Sequence, residues 1–452
     1  RRMGEFNCQV LPNTLWAYAS LSFGDGHLFD AISAASIRII GELEAPGLSA
    51  TAWSLATLPR KDGPLLAAIS AQAIRTIADF QTQGFANTAW AFATLAYRDQ
   101  PLFEAISKAA IRTLTSADPR GQAVGAVAIV HAFEVAGCLS QELLDAAAVC
   151  LAKDASSLDG PIERLSSELE EACDGPSPQG APAEPRVMSV RPPLCVLMKP
   201  PGWTVSVHST EDGSSEINEL DSLLERDGAA TSSRLETWLA AKFGSGFPIS
   251  LDAGFSHGLL HRLDRDTSGA LLWASSYGGF HAANLQFATR RVRKEYVCLC
   301  HGPAPSVQRS LQAPLLERAA PVGGGPPRCA VDFERGRRAC TELLFAEGLV
   351  SPEGEQLCLV RVRLHTGRQH QIRAHLSHEG RPLVGDALYG GPTPAWCSRI
   401  FLHACRLALD IGGGPLDLRV PLPQDLRSAL KVLTPVDQHS VALQTEWLEA
   451  AG

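Results

Sequence analysis

The chain has 452 residues, with 40 basic and 48 acidic side chains for a formal net charge of −8, and 45% of its residues are hydrophobic. That length exceeds one ordinary core, so at least two domains are expected. The acidic balance argues against a general nucleic-acid coat, and no run approaches the roughly 18 apolar residues that span a bilayer.

Arg1 opens the chain close to a repeated unit, which reads as the start of a fragment, so the lack of a targeting peptide carries no information. Asn13-Thr14-Leu15-Trp16-Ala17-Tyr18-Ala19-Ser20-Leu21 recurs as Ala50-Thr51-Ala52-Trp53-Ser54-Leu55-Ala56-Thr57-Leu58 and as Asn87-Thr88-Ala89-Trp90-Ala91-Phe92-Ala93-Thr94-Leu95, a period of 37 residues. Leu28, Leu65 and Leu102, Ile32, Ile69 and Ile106, and Arg38, Arg75 and Arg112 keep the same register. A worn fourth copy is expected from Val124 to about Ala152. Each unit reads as two helices: Asn, Thr or Ser is expected to cap the first, and Pro64 and Pro101 to open the second. One such pair cannot bury its own apolar stripe, so the copies are expected to stack into an α-solenoid.

Residues Asp174 to Pro193 are rich in Pro, Gly and Ala and read as a spacer. From Leu194 the pattern changes to short β-like runs broken by Gly and Pro. Cys195-Val196-Leu197-Met198-Lys199-Pro200-Pro201-Gly202 is a strand entering a stiff turn. His261-Arg262-Leu263-Asp264-Arg265-Asp266-Thr267-Ser268-Gly269 sets a carboxylate between two guanidinium groups just before an apolar strand. A buried carboxylate is costly unless paired, so this cluster marks a candidate site. A structural Arg–Asp pair in a turn is the plainer alternative. Arg293-Lys294-Glu295-Tyr296-Val297 begins another strand. The run Thr366-Gly367-Arg368-Gln369-His370-Gln371-Ile372-Arg373 follows, then Gly380 to Gly390, Phe401-Leu402-His403-Ala404 and Val420 to Leu426. Ala319 to Pro327 reads as a flexible loop. Basic clusters at 290–294, 335–338 and 361–373 could hold RNA phosphates.

Twelve cysteines occur without a CxxC pair and read as reduced thiols of an intracellular protein; Cys298 and Cys300 fit a strand. His365, His370, His375 and His378 lack zinc-ligand spacing and read as hydrogen-bonding groups, so no metal is assigned.

These ordered motifs resemble the RluA-type RNA pseudouridine synthases. The resemblance implies Asp264, Tyr296 and Arg373 as catalytic residues: Asp264 as the central aspartate, Arg373 as its cationic partner, and Tyr296 packed on the target uracil and assisting proton removal from C5. Arg262, Arg265, Lys199, Arg293, Lys294, Arg368 and His370 are implied RNA contacts, with Arg262 filling the place of the flipped nucleotide. No cofactor is implied. The small RNA-binding domain often attached to these enzymes is not found upstream. The N-terminal copies instead resemble octotricopeptide-type helical repeats, which implies contact with RNA or, given their acidic balance, with protein.

The expected organisation is a helical repeat domain at 1–160, a Pro/Gly/acidic linker at 161–193, an α+β catalytic domain with a mixed, mainly antiparallel sheet at 194–435, and a tail at 436–452. The expected function is cofactor-free isomerisation of specific uridines in structured ribosomal or transfer RNA. The alternative is a catalytically silent RNA-binding or scaffold protein. A monomer without membrane contact is expected, in a mitochondrion or plastid, or else in the cytoplasm or nucleus.

Overall fold

The computed structural model describes residues 7–21, 26–116, 121–159, 183–207, 233–318, 328–412 and 414–449. The chain divides into two compact units, one built on residues 1–160 and the other on most of the remainder.

The first unit holds α1 (Val10–Ser20), α2 (Gly26–Arg38), α3 (Ala45–Thr57), α4 (Gly63–Arg75), α5 (Thr82–Thr94), α6 (Gln100–Ser116), α7 (Ala123–Ala136) and α8 (Gln141–Leu158). Odd-numbered helices stack on one another, and even-numbered helices form a second layer. Ile32, Ile69 and Ile106, one per copy, are buried, as the 37-residue register requires. Buried hydroxyls inside α3 bond back one turn, Thr51 Oγ1 to Gly47 O and Ser54 Oγ to Ala50 O, both at 2.7 Å, so polar residues can occupy a crowded layer. A Cβ on Gly125 would lie 2.8 Å from Thr82 Cγ2; glycine there permits the close approach of α7 to α5.

One expectation is corrected. The first helix of each copy begins before its Asn or Thr, at Val10, Ala45 and Thr82, and its N-cap position carries no side-chain cap. Capping falls instead on the second helices, where Asp62 Oδ1 accepts from Leu65 N at 3.0 Å and Asp99 Oδ1 from Leu102 N at 3.1 Å. Pro64 and Pro101 do stand in the opening turn.

The second unit is built on strands β1 (Arg186–Arg191), β2 (Leu194–Lys199), β3 (Trp203–Thr204), β4 (Ser233–Arg234), β5 (Ser268–Ala274), β6 (Arg293–His301), β7 (Arg309–Leu311), β8 (Leu315–Arg318), β9 (Arg328–Val331), β10 (Thr341–Val350), β11 (Gln356–Leu364), β12 (Leu402–Asp410), β13 (Pro415–Arg419) and β14 (Thr434–Pro435). Its helices are α9 (Leu235–Phe243), α10 (Tyr277–Ala288), α11 (Gln371–His378), α12 (Gln424–Lys431) and α13 (Gln438–Glu449). Ten strands form one sheet in the order β1-β2-β5-β12-β6-β11-β10-β14, with β13 beside β12 and β7 beside β10. β12 runs parallel to β5, and the other pairs in that sheet are antiparallel. This is the expected mixed, mainly antiparallel architecture.

One face of the sheet packs Leu271, Trp273, Tyr296, Cys298 and Val362 against α9 and α11. The other packs Val297, Leu299 and Leu359 against α12 and α13. Trp273 is fully buried and stacks on Phe243 with ring centroids 4.9 Å apart. Gly269 has φ +129°, and a Cβ there would lie 2.3 Å from Ala404 O, so only glycine lets β5 leave its preceding loop and pair at once with β12.

The boundaries differ from the expected ones in two places. β1 lies inside the segment read as linker, paired with β2 from Arg186, because Val187 and Val190 supply strand residues amid the prolines. The segment read as a tail carries α13, whose Trp447 is buried with Leu426 and Leu430. Residues 161–182 of the spacer and the loop Ala319–Pro327 lie outside the described residues.

Candidate active site

Asp264 sits on the loop between Leu260 and β5. Three anchors hold that loop from below. Lys199 at the end of β2 donates from Nζ to Arg265 O at 2.8 Å and to Pro200 O at 3.0 Å. Gly202 N donates to the same Arg265 carbonyl at 2.8 Å. Arg399 donates from Nη1 to Asp266 O and from Nη2 to Ser268 Oγ, both at 3.1 Å, while its Nε reaches Asp425 Oδ2 at 2.5 Å. The loop is thus stitched to β2, to the segment before β12 and to α12.

Arg373, in the first turn of α11, faces Asp264: Nη1 donates to Oδ2 at 3.2 Å. Its other nitrogens are fixed by Asp386, Nε to Oδ2 and Nη2 to Oδ1, both at 2.8 Å. The guanidinium carbon lies 4.9 Å from the Tyr389 ring centroid. The cation is therefore oriented before it meets Asp264, as a bidentate fork on one carboxylate with a spare arm for another.

The helix carrying Arg373 is itself pinned. Buried Gln371 accepts at Oε1 from Thr366 Oγ1 (2.7 Å) and Arg368 N (3.1 Å), and donates from Nε2 to Cys340 O and Thr341 Oγ1, both at 3.0 Å. His375 bridges Thr341 Oγ1 and Ala313 O at 2.9 and 2.8 Å. His370 adopts a left-handed conformation at the start of α11, with φ +50°.

Tyr389 OH accepts from Cys329 N at 2.8 Å and lies 3.1 Å from His370 Nδ1. His370 Nε2 lies 3.9 Å from Asp264 Oδ2.

The Asp264 side chain is only 21% exposed. Burial pushes its pKa up, but His370, Arg373 and Arg262 together outweigh that and hold it below the usual carboxylate range. His370 is itself pushed below its ordinary value by burial, so its charge helps Asp264 only in acid and is lost by neutral pH. Arg373, whose charge Asp386 and Asp264 secure against burial, is the group that keeps Asp264 ionised.

Tyr296 is buried on β6 opposite Val362 and Ala404. Burial, with Asp264's charge added, raises its hydroxyl well above the ordinary value, so it remains a phenol. A neutral phenol can pack against a ring and donate a hydrogen bond.

Two expected RNA contacts are also corrected. Lys199 is fully buried and spends its ammonium on backbone carbonyls, so it supports the loop rather than facing a ligand. Arg293 shares its sheet face with Glu295, Val297 and Leu299, opposite the face that carries Tyr296, and pairs with Glu295. Arg361 and Arg363, from the basic run at 361–373, lie on that same far face, each 3.8 Å from Glu295. Strand parity places them there, since 293, 361 and 363 are each an odd step from the Tyr296–Val362 pair.

Arg262 and Lys294 remain on the near side: Arg262's charge reaches Asp264, and Lys294's reaches the half-buried His261. Arg265 is half exposed and pairs with Asp266 at 3.2 Å. Arg368 reaches Arg338 O at 3.4 Å. Asp386, Tyr389 and Arg399 were not singled out from sequence, although Asp386 and Tyr389 stand in a motif that was. Among the described residues no group of three side chains is arranged to hold a metal ion.

Residues 193–378 match the family described as RNA pseudouridylate synthase. Residues 2–121 match the family described as RNA-editing substrate-binding complex 6 protein. An uncharacterised RNA pseudouridine synthase of Zymomonas mobilis is 34% identical over 203 residues, covering 44% of this chain and 84% of that protein. Ribosomal large subunit pseudouridine synthase D of the same organism is 32% identical over 186 residues, covering 39% of this chain and 56% of that protein. Ribosomal large subunit pseudouridine synthase C of Yersinia pestis is 32% identical over 183 residues, covering 39% and 55%. The chain spans about half the length of two of these curated relatives. The solved structure of human RNA Pseudouridylate Synthase Domain Containing 1 is 22% identical, covers 59% of this chain and 96% of that one, and has a TM-score of 0.40. The chain belongs to the RNA pseudouridine synthase family.

Proposed function

We propose that the chain converts specific uridines in RNA to pseudouridine, with Asp264 as the reacting carboxylate. The observation that carries this reading is the Asp264–Arg373 contact at 3.2 Å in a largely enclosed site. Isomerisation breaks the C1′–N1 bond and forms C1′–C5; the proton on C5 is lost and N1 gains one, so no redox partner is required. A carboxylate that stays ionised without water around it suits this chemistry, whether it attacks the sugar, adds to the ring or removes a ribose proton. The uridine must leave its helix, at a cost of a few kcal/mol, and the roles assigned to Tyr296 and Arg262 in this reading are to pack against it and to fill the place it vacates.

Two of the relatives are named for the large ribosomal subunit, which supports ribosomal RNA as the substrate class. The match of residues 2–121 supports RNA as the partner of the helical repeats, with protein contact as the alternative. Light-induced crosslinking of the full chain to ribosomal RNA, followed by peptide mapping, separates these: crosslinks within 1–160 support RNA, and their absence favours protein. The activity is tested with RNA tritiated at uridine C5. Release of label to water, matched by pseudouridine in the digested product, supports the reading; an inert wild-type protein favours the silent binding protein.

A further inference from the structure

Between β9 and β10 the chain makes a turn that no step above uses. Asp332 Oδ1 accepts from the backbone N–H of Glu334 at 3.0 Å and of Arg335 at 2.8 Å. Gly336 N donates to Asp332 O at 2.9 Å, and Arg337 and Leu315 exchange backbone hydrogen bonds at 2.9 and 2.7 Å. A Cβ on Gly336 would lie 2.3 Å from Asp332 O, so the fold is tight there. The turn is a fixed object, and it holds the Phe333 ring 74% exposed.

Arg335, Arg337 and Arg338 follow Phe333 on the same turn and are exposed. The turn is also tied to the active site. Leu315, Cys329 and Ala339 pack with Ala374, the residue after Arg373. Cys329 N holds the Tyr389 hydroxyl, and Arg338 O receives Arg368 Nε. The Phe333 ring lies 6.2 Å from that of His378. His378 is five residues past Arg373 on α11, about 7.5 Å along its axis. Single exposed apolar side chains are ordinary. An aromatic ring held out by a capped turn that also carries three exposed arginines and packs on the catalytic helix is not accounted for that way. Guanidinium groups hold phosphates, and an open ring face takes a base by stacking.

We propose that Phe333 is a stacking platform for an unpaired nucleotide near the modified uridine, with Arg335, Arg337 and Arg338 holding the adjoining phosphates. This rests on RNA being the substrate. An acidic protein segment would suit the arginines but leaves the open ring unused.

The test uses the full chain and a single-stranded uridine-rich RNA carrying 2-aminopurine, whose fluorescence falls on stacking. Phe333→Ala and Phe333→Leu should weaken binding about tenfold and restore the fluorescence, while Phe333→Trp keeps both at the wild-type level. Replacing the three arginines with alanine should flatten the plot of log affinity against log salt by about two to three. Phe333 is exposed, so unchanged thermal midpoints should accompany these effects. Wild-type binding and quenching in Phe333→Ala and Phe333→Leu would overturn the platform. Loss of poly-glutamate binding alone in these variants would overturn it in favour of an acidic protein partner. Ring-dependent quenching in a wild-type protein that forms no pseudouridine would support the platform and defeat the enzyme reading; pseudouridine formed equally well by Phe333→Ala would do the reverse.

Discussion

Asp386 grips Arg373 through both carboxylate oxygens at 2.8 Å, and this grip fixes the direction in which Arg373 meets its second carboxylate. Asp386 is buried and acts by setting the angle and charge of a neighbour. Asp386→Ala leaves a buried guanidinium with one carboxylate partner and should cost about 3–5 kcal/mol of stability. Asp386→Asn keeps the shape, should fold, and should lower single-turnover rate about 10- to 100-fold with little change in RNA affinity. Urea titration together with single-turnover kinetics checks both statements.

Asp264 and Arg373 make a pH prediction. The Asp264 pKa is depressed in the folded chain, so its contribution to stability is present above the unfolded value of about 3.9 and is lost as pH falls through the folded value. Its loss should not limit activity at any pH from 5 upward. Arg373→Met removes the dominant cation at neutral pH, and the acidic limb of the rate–pH profile should then move upward. A limb in the same place in wild type and variant would contradict the assignment of Arg373 as the group that holds the charge.

Lys199 predicts a slope of stability with pH of the same sign, in a more alkaline window. Burial lowers its pKa to about 7, against the pull of Asp264 and Asp266, while the unfolded lysine titrates near 10.4. Between those values the unfolded chain binds the extra proton, so this group's contribution makes the fold more stable as pH rises from 7 toward 10. Comparing urea midpoints at pH 7 and 9.5, wild type should gain relative to Lys199→Met. The same variant loses the donors to Arg265 O and Pro200 O, so its loop should loosen and its turnover fall.

Glu295 offers a contrast on the far face of the sheet. It is 1% exposed and faced by Arg293, Arg361, Arg363 and Arg406. Glu295→Ala leaves those guanidinium groups without their shared counter-charge and should lower the thermal midpoint by several degrees. The folded fraction should retain its rate, because none of these side chains faces Asp264. Calorimetry paired with kinetics per folded molecule checks this.

The features legible in the sequence were those that repeat or that cluster. The Trp53 and Trp90 register exposed the helix pairs, and the charged nonapeptide around Asp264 marked its loop. Helix starts were misplaced because Asn13 and Asn87 look like caps, yet the extended odd-numbered layer makes it favourable for the helix to begin earlier. The burial of Lys199 has no sign in the sequence, because a lysine at a strand end is ordinarily exposed; the Arg265 and Pro200 carbonyls that accept from its ammonium explain its place. Arg293 could have been excluded by strand parity with Tyr296. Asp386, Tyr389 and Arg399 could not have been placed, because each acts through a partner 13 or more residues away.

The most direct measurement is pseudouridine yield in one turnover with purified Asp264→Asn, set beside wild type under saturating RNA. The amide keeps the shape of the carboxylate and its place beside Arg373 but carries no charge. RNA affinity within a few-fold of wild type and no detectable pseudouridine is the predicted result. Pseudouridine formed at the wild-type rate would contradict the account.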